Sequence, residues 1–206
     1  MPRSPSRQAR SLRRQPPRLS VFAMDSLTPE QSALVEAIKT SPRGRFSNEG
    51  PFAVYLHAPA LGQVAQQLAA YMRYHTSVPP RLSEFAILVT AQHWQAQYEW
   101  VAHAPIAEKQ GVKPATIRDL KAGRRPRTAP PDEMAIYVFI KELYAKRRVS
   151  DAAFKRVRKL LGDTATVELV GILGCYAMVS MILNVFRMPV PEGTPAPFPE
   201  ASGKRA

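Results

Sequence analysis

Between Glu168 and Asn184 the chain runs for fifteen residues without a charge, inside the apolar stretch TATVELVGILGCYAMVSMILNVFR of residues 164–187. A helix that is apolar on every side has to be covered on every side. Lipid is one cover, but a bilayer needs ~20 such residues, and this run falls short. The stretch therefore reads as a buried or subunit-interface helix, not a membrane span. Gly171 and Gly174 leave room for a neighbouring helix to come close.

The rest of the chain repeats the helical theme. Thr28-Pro29-Glu30-Gln31 is a helix start, with Thr as N-cap, Pro in the first turn and Gln at the capping-box position. That helix is expected to reach about Thr40, where Ser41-Pro42-Arg43-Gly44 ends it. A short helix follows over Pro51–His57. Another begins at Pro59 and carries Leu61, Val64, Leu68, Tyr71 and Met72 on one stripe at helical period. After Val78-Pro79-Pro80, residues 81–91 are apolar on all sides, which predicts a helix buried all round. The next helix, near 95–110, holds Pro105, which is expected to kink it, and stops at Gly111. A short helix at Pro114 ends at Gly123, and a basic loop leads to a long helix over Asp132–Arg148 with Met134, Tyr137, Val138, Ile140, Leu143 and Tyr144 inward. Ser150 caps a helix with the stripe Phe154, Val157, Leu160 and Leu161, ended by Gly162. No segment reads convincingly as a strand, and no fixed-period repeat appears. The fold class is all-α, one compact helical domain over 28–192, flanked by a basic tail (1–27) and a Pro-rich tail (193–206), both expected to be disordered.

The net charge is +13. Residues 1–23 hold six arginines and no acid, so the remaining chain carries +7. A basic footprint with no reading module supports only non-specific nucleic-acid affinity, so no specific nucleic-acid partner is expected. The Arg/Ser/Pro-rich tail has the composition of a transit peptide, but its four prolines oppose an amphipathic helix. The alternative, favoured by the position of Met24 just before the first acid and the first helix cap, is a true start at Met24. The single cysteine, Cys175, rules out an intrachain disulfide framework and fits a reducing, cytoplasmic setting; within its apolar run it reads as a small buried hydrophobe. Histidines 93 and 103 lack metal-ligand spacing, and neither a Walker loop nor a dinucleotide-binding glycine pattern is present. No metal or cofactor is expected.

One segment carries chemistry. Glu99 and His103 are four residues apart in a largely neutral helix, so they share a face. Glu84 opens the preceding apolar run. A carboxylate beside an imidazole suits acid–base chemistry near neutral pH, although the same pair also occurs as a plain surface contact.

Arg81-x-x-Glu84, then Tyr98-Glu99-Trp100-x-x-His103, then Gly111 resemble the carboxymuconolactone decarboxylase family, which also contains the alkylhydroperoxidase D-like proteins. Gly50-Pro51-Phe52, His57-x-Pro59 and Tyr71-x-Arg73-Tyr74 are similar to the lead-in of the same family, and Glu168-Leu169 with its apolar helix to the C-terminal part. The peroxidase branch carries Cys-x-x-Cys where this chain has Ala96 and Glu99. A dithiol reductase needs two sulfurs, so the resemblance points instead to the branch with Glu four residues before His.

That resemblance implies a helical homo-oligomer, a trimer or hexamer, and a lyase that needs no cofactor and acts on a small lactone or keto acid in aromatic-compound catabolism. It implies His103 as general acid, oriented by Glu99 or Glu84. Arg81 or Arg73 is the nearest cation for a substrate carboxylate, and Tyr98, Trp94 and Trp100 are candidate pocket walls. Two other readings stay open: a non-catalytic helical oligomer or binding module of the same fold, and a related lactone hydrolase, isomerase or cyclase. The first divides from the enzymatic readings on whether Glu84, Glu99 and His103 converge on one cavity; the second shares that expectation with decarboxylation.

Overall fold

The computed structural model describes residues 16–199. Among them are eight helices and no strand: α1 (Pro29–Thr40), α2 (Pro51–Tyr55), α3 (Pro59–Tyr74), α4 (Pro80–Trp94), α5 (Gln97–Lys109), α6 (Pro114–Lys121), α7 (Pro131–Lys146) and α8 (Asp151–Val185). Six of the eight begin at a proline. Proline lacks an N–H that the first turn leaves unpaired anyway, and its fixed φ suits that turn. The expected capping box is formed at α1: Thr28 Oγ1 accepts from the Gln31 backbone, and the Gln31 side chain accepts from Thr28 N–H.

Helix α4 is the pillar. Its residues 82–91 are all buried, and α5, α6, α7 and α8 pack around it. The main core joins Phe85, Ile87 and Leu88 of α4 to Ile136 and Ile140 of α7 and to Leu169, Ile172 and Leu173 of α8. A second cluster, led by Leu34, Ile38 and Leu56, seals α1 and α2 onto α3. Helix α8 is one hydrogen-bonded run with a break at Gly162, where φ is 79° and ψ is 177°. A side chain resists that backbone region, so glycine turns the chain there. This is the boundary expected between two helices. By length and composition α8 could cross a bilayer, but over half of its most apolar window is buried inside the protein.

Three expectations meet a different arrangement. On α3 the buried face is Gly62, Ala65, Gln66 and Ala70, while Leu61, Val64, Leu68 and Tyr71 point outward. Small residues face in because α3 lies close to its neighbours: a Cβ on Gly62 would sit 2.5 Å from Leu34. On the first part of α8, Val157 is buried as expected, but Phe154 and Leu160 are exposed. Ordered contacts also reach beyond 28–192. Arg18 donates to the Val185 carbonyl, Phe22 packs on the α1–α3 cluster and Asn48 donates to the Phe22 carbonyl. At the other end Phe198 is buried edge-on against Trp100. Residues 1–15 and 200–206 of the two tails lie outside the described residues. A chain beginning at Met24 is thus expected to melt several degrees below the full chain, because it loses Arg18 and Phe22; differential scanning calorimetry of the two checks this, and equal melting temperatures would show that the 16–23 segment contributes nothing.

Candidate active site

Helices α4 and α5 form a tight antiparallel hairpin. Gln95, in the left-handed conformation, ends α4, and Ala96 N–H returns to the Ala91 carbonyl. The turn sets Glu84 of α4 across from His103 of α5. His103 Nδ1 lies 2.7 Å from Glu84 Oε2, and Nε2 lies 3.0 Å from Glu99 Oε1. Both ring nitrogens are therefore held by carboxylates. The relative exposures of Glu84, Glu99 and His103 are 7, 3 and 3%. So the three predicted catalytic residues converge, as one buried carboxylate–imidazole–carboxylate unit.

Burial alone would lower the basicity of His103. The Glu99 charge and the hydrogen bonds to Glu84 and Glu99 outweigh it and raise the pKa from 6.5 to about 9. His103 is an imidazolium at neutral pH, clamped between two acceptors.

Glu99 and His103 line a cavity of about 490 Å³, a size that suits a small organic ligand. Its walls come from the α1–α2 loop (Arg43, Arg45), α3 (Arg73), α5 (Tyr98) and α8 (Cys175, Tyr176). Gly50 belongs to this construction: its φ is 76°, and a Cβ there would strike the Tyr98 ring at 2.6 Å. Arg43 lies over the Phe52 ring, 4.4 Å from its centroid, and Arg73 over Tyr74. Neither of these two nor Arg45 forms a salt bridge among the described residues. Tyr176 meets His103 edge-on at 5.1 Å. Burial first, then nearby Glu99, pushes its phenol well above the ordinary range, so it stays protonated.

Of the predicted substrate-binding residues, Arg73 and Tyr98 are in the wall and three are elsewhere. Arg81 is bound by Asp132 and Glu133 at the start of α7; a carboxylate pair in reach satisfies its guanidinium fork, which leaves it no ligand to seek. Trp100 turns into the core against Phe198. Trp94 ends α4, where its carbonyl accepts from Asn184. Cys175 is buried, as read, yet it lines the cavity; desolvation pushes its thiol up to about 11. Sequence reasoning missed Arg43, Arg45 and Tyr176. The available signal for the two arginines was a loop with basic residues between α1 and α2; Tyr176 was hidden among apolar neighbours in α8.

The fold alone defines the class: an all-α protein with the alkylhydroperoxidase D core fold. It superposes on an uncharacterized peroxidase-related protein from Silicibacter sp. TM1040 with a TM-score of 0.69 at 15% identity, covering 89% of this chain and 96% of that one. It also matches the alkylhydroperoxidase AhpD core of an uncharacterized peroxidase-related protein from Ralstonia eutropha JMP134, with a TM-score of 0.69 at 19% identity, over 85 and 93%. At such identities the likeness is one of fold. No protein-family model and no curated protein matches the sequence.

Proposed function

We propose that the chain is an acid–base enzyme acting on a small carboxylated lactone or keto acid, in the manner of carboxymuconolactone decarboxylase. One observation carries this reading: the buried Glu84–His103–Glu99 unit opens, through Glu99 and His103, onto a cavity lined by three arginines that form no salt bridge among the described residues and outnumber the two lining carboxylates, Glu49 and Glu99. Unpaired guanidinium groups beside a proton relay fit an anionic substrate.

In the reading, Arg73 and Arg43 hold the substrate and offset its charge. The bond to the departing carboxylate breaks, CO₂ leaves, and the electron pair moves into a conjugated carbonyl. The neutral Tyr176 phenol is placed to donate to the resulting enolate oxygen. The carbon then takes a proton. Because both His103 nitrogens are already engaged, the proton reaches the cavity through Glu99: His103 passes it to Glu99, and Glu84 keeps the ring oriented and balances its charge. This differs from a simple division in which the histidine alone meets the substrate. Neither Ala96 nor Glu99 offers a sulfur, and Cys175 stands alone, so dithiol peroxide reduction is outside this chemistry.

A thermal-shift screen of small lactone and keto acids, followed by assay of hits for CO₂ release, tests the proposal. At a hundredfold excess over Kd, a ligand is expected to stabilise by about 2.7 kcal/mol, and Arg73→Ala should abolish the shift. In parallel, peroxide with a dithiol donor is expected to give no turnover above buffer. Turnover of peroxide with no hit among the acids would overturn the reading.

A further inference from the structure

Charge is spread unevenly over the folded chain. Residues 113–127 and 141–163 comprise α6 with the loop behind it, the C-terminal end of α7 and the first limb of α8. They hold fourteen lysines and arginines against four acids. The other described residues hold eight against eleven. All fourteen cations are exposed.

The topology brings these segments to one side. Helices α6 and α7 both pack on α4. On one flank of α7, Tyr137 feels the charge of Arg125 from the basic loop. On the other flank, Glu142 accepts from the N–H of Ser150, which opens α8. Helix α7 is thus the midline, and Lys141 and Ala145 are exposed along it. On α8, Ala153 and Val157 are buried, which turns Lys155, Arg156 and Lys159 outward at helical period. These three form no salt bridge among the described residues. Three of the four acids are engaged locally: Asp119 with Arg124, Asp163 with Arg158 and Glu142 with Ser150. Among the described residues, none from 113–163 lines the candidate active-site cavity.

We propose that this side binds double-helical nucleic acid through its phosphate backbone, without reading sequence. Crowded like charges repel one another and draw a polyanion. Helix α7 is ~24 Å long, and a duplex carries one charge per ~1.7 Å of axis, so on the order of seven phosphates face a surface of that length. Eight of the fourteen cations are arginines, whose fork matches phosphate oxygens. The outward line of Lys141, Ala145, Lys155, Arg156 and Lys159 has no aromatic ring on which unpaired bases could stack. It also has no large apolar side chain to enter a bilayer: Phe154 and Leu160, though exposed, border the buried stripe. Both omissions favour a duplex backbone over a single strand or a lipid surface.

The test uses the full chain and a fluorescein-labelled DNA duplex of about 20 base pairs, long enough to span the face. It needs no substrate, so it stands apart from the proposed chemistry. Fluorescence anisotropy is expected to give a Kd of roughly 10⁻⁴–10⁻⁶ M near physiological salt, tighter by about 10³-fold or more at ~50 mM, and equal for a scrambled duplex. Changing Lys155, Arg156 and Lys159 together to Glu should weaken binding at least about tenfold and flatten the slope of log K against log salt by about 3, close to one per lost phosphate contact. Lys155→Arg, Arg156→Lys and Lys159→Arg together keep the charge and should keep the binding, with circular dichroism unchanged in both triple variants. No binding at low salt would overturn the proposal. A triple-glutamate variant that binds like the wild type would overturn it too, by moving the contact to the five arginines of residues 1–15. So would uptake by phosphatidylserine vesicles without binding of the duplex.

Discussion

Replacing His103 with Ala is expected to lower kcat by 10²- to 10⁴-fold, the range general acid–base groups typically supply, once a substrate is in hand. Glu99→Gln should cost a similar factor, because in the proposed relay it removes the carboxylate that delivers the proton. Combining the two should cost little beyond either, since members of one unit are strongly non-additive. Glu84→Gln is the informative contrast. Glu84 touches His103 and is absent from the cavity wall, so its loss should act mainly by lowering the basicity of the imidazole and shifting the alkaline limb of the rate profile downward. The same pairing affects folding. The imidazole pKa is raised on folding from 6.5 to about 9, so the stabilisation is fully present below pH 6.5 and is lost as pH rises through about 9. Denaturant melts from pH 6 to 10 should show this decline in the wild type and a flatter profile in His103→Ala. Near-full turnover by His103→Ala would remove the histidine from the chemistry.

Replacing Arg81 with Met is expected to destabilise the protein by up to about 3 kcal/mol, because it removes the half-buried side of a pair whose Glu133 end is buried. Among the described residues Arg81 is the one salt-bridge partner of Glu133, whose side chain is 1% exposed. Burial already pushes the Glu133 carboxyl above its usual range, against the pull of Arg81. Without the guanidinium, Glu133 is left buried and uncompensated at neutral pH. A second change, Glu133→Gln, should recover much of the loss, and KM should be little altered in either variant. Urea melts and substrate saturation together decide the role. A raised KM with normal stability would return Arg81 to the substrate.

That outcome bears on how much the sequence revealed. Helix starts were legible because proline and Thr28 act locally. The central helix was legible because 81–91 has no polar side. The convergence of Glu99 and His103 followed from helical period, whereas Glu84 needed the α4–α5 hairpin, which the family resemblance supplied. The arginines were not legible in the same way. Arg81 and Arg73 look alike in sequence; only the approach of Asp132, about fifty residues later, shows which is neutralised. The outward turn of the α3 stripe was also hidden, since periodicity reports that a face exists and not what covers it. Here the small face, through Gly62 and Ala65, wins the interior.

The C-terminal segment carries a last consequence. Gln97 bonds both the N–H and the carbonyl of Phe198, and Pro191, on the way there, lines the cavity. The last helix ends at Val185, yet neither the core nor the chamber does: Phe198, thirteen residues further on, joins the main core, and the strap between them closes one wall of the cavity at Pro191.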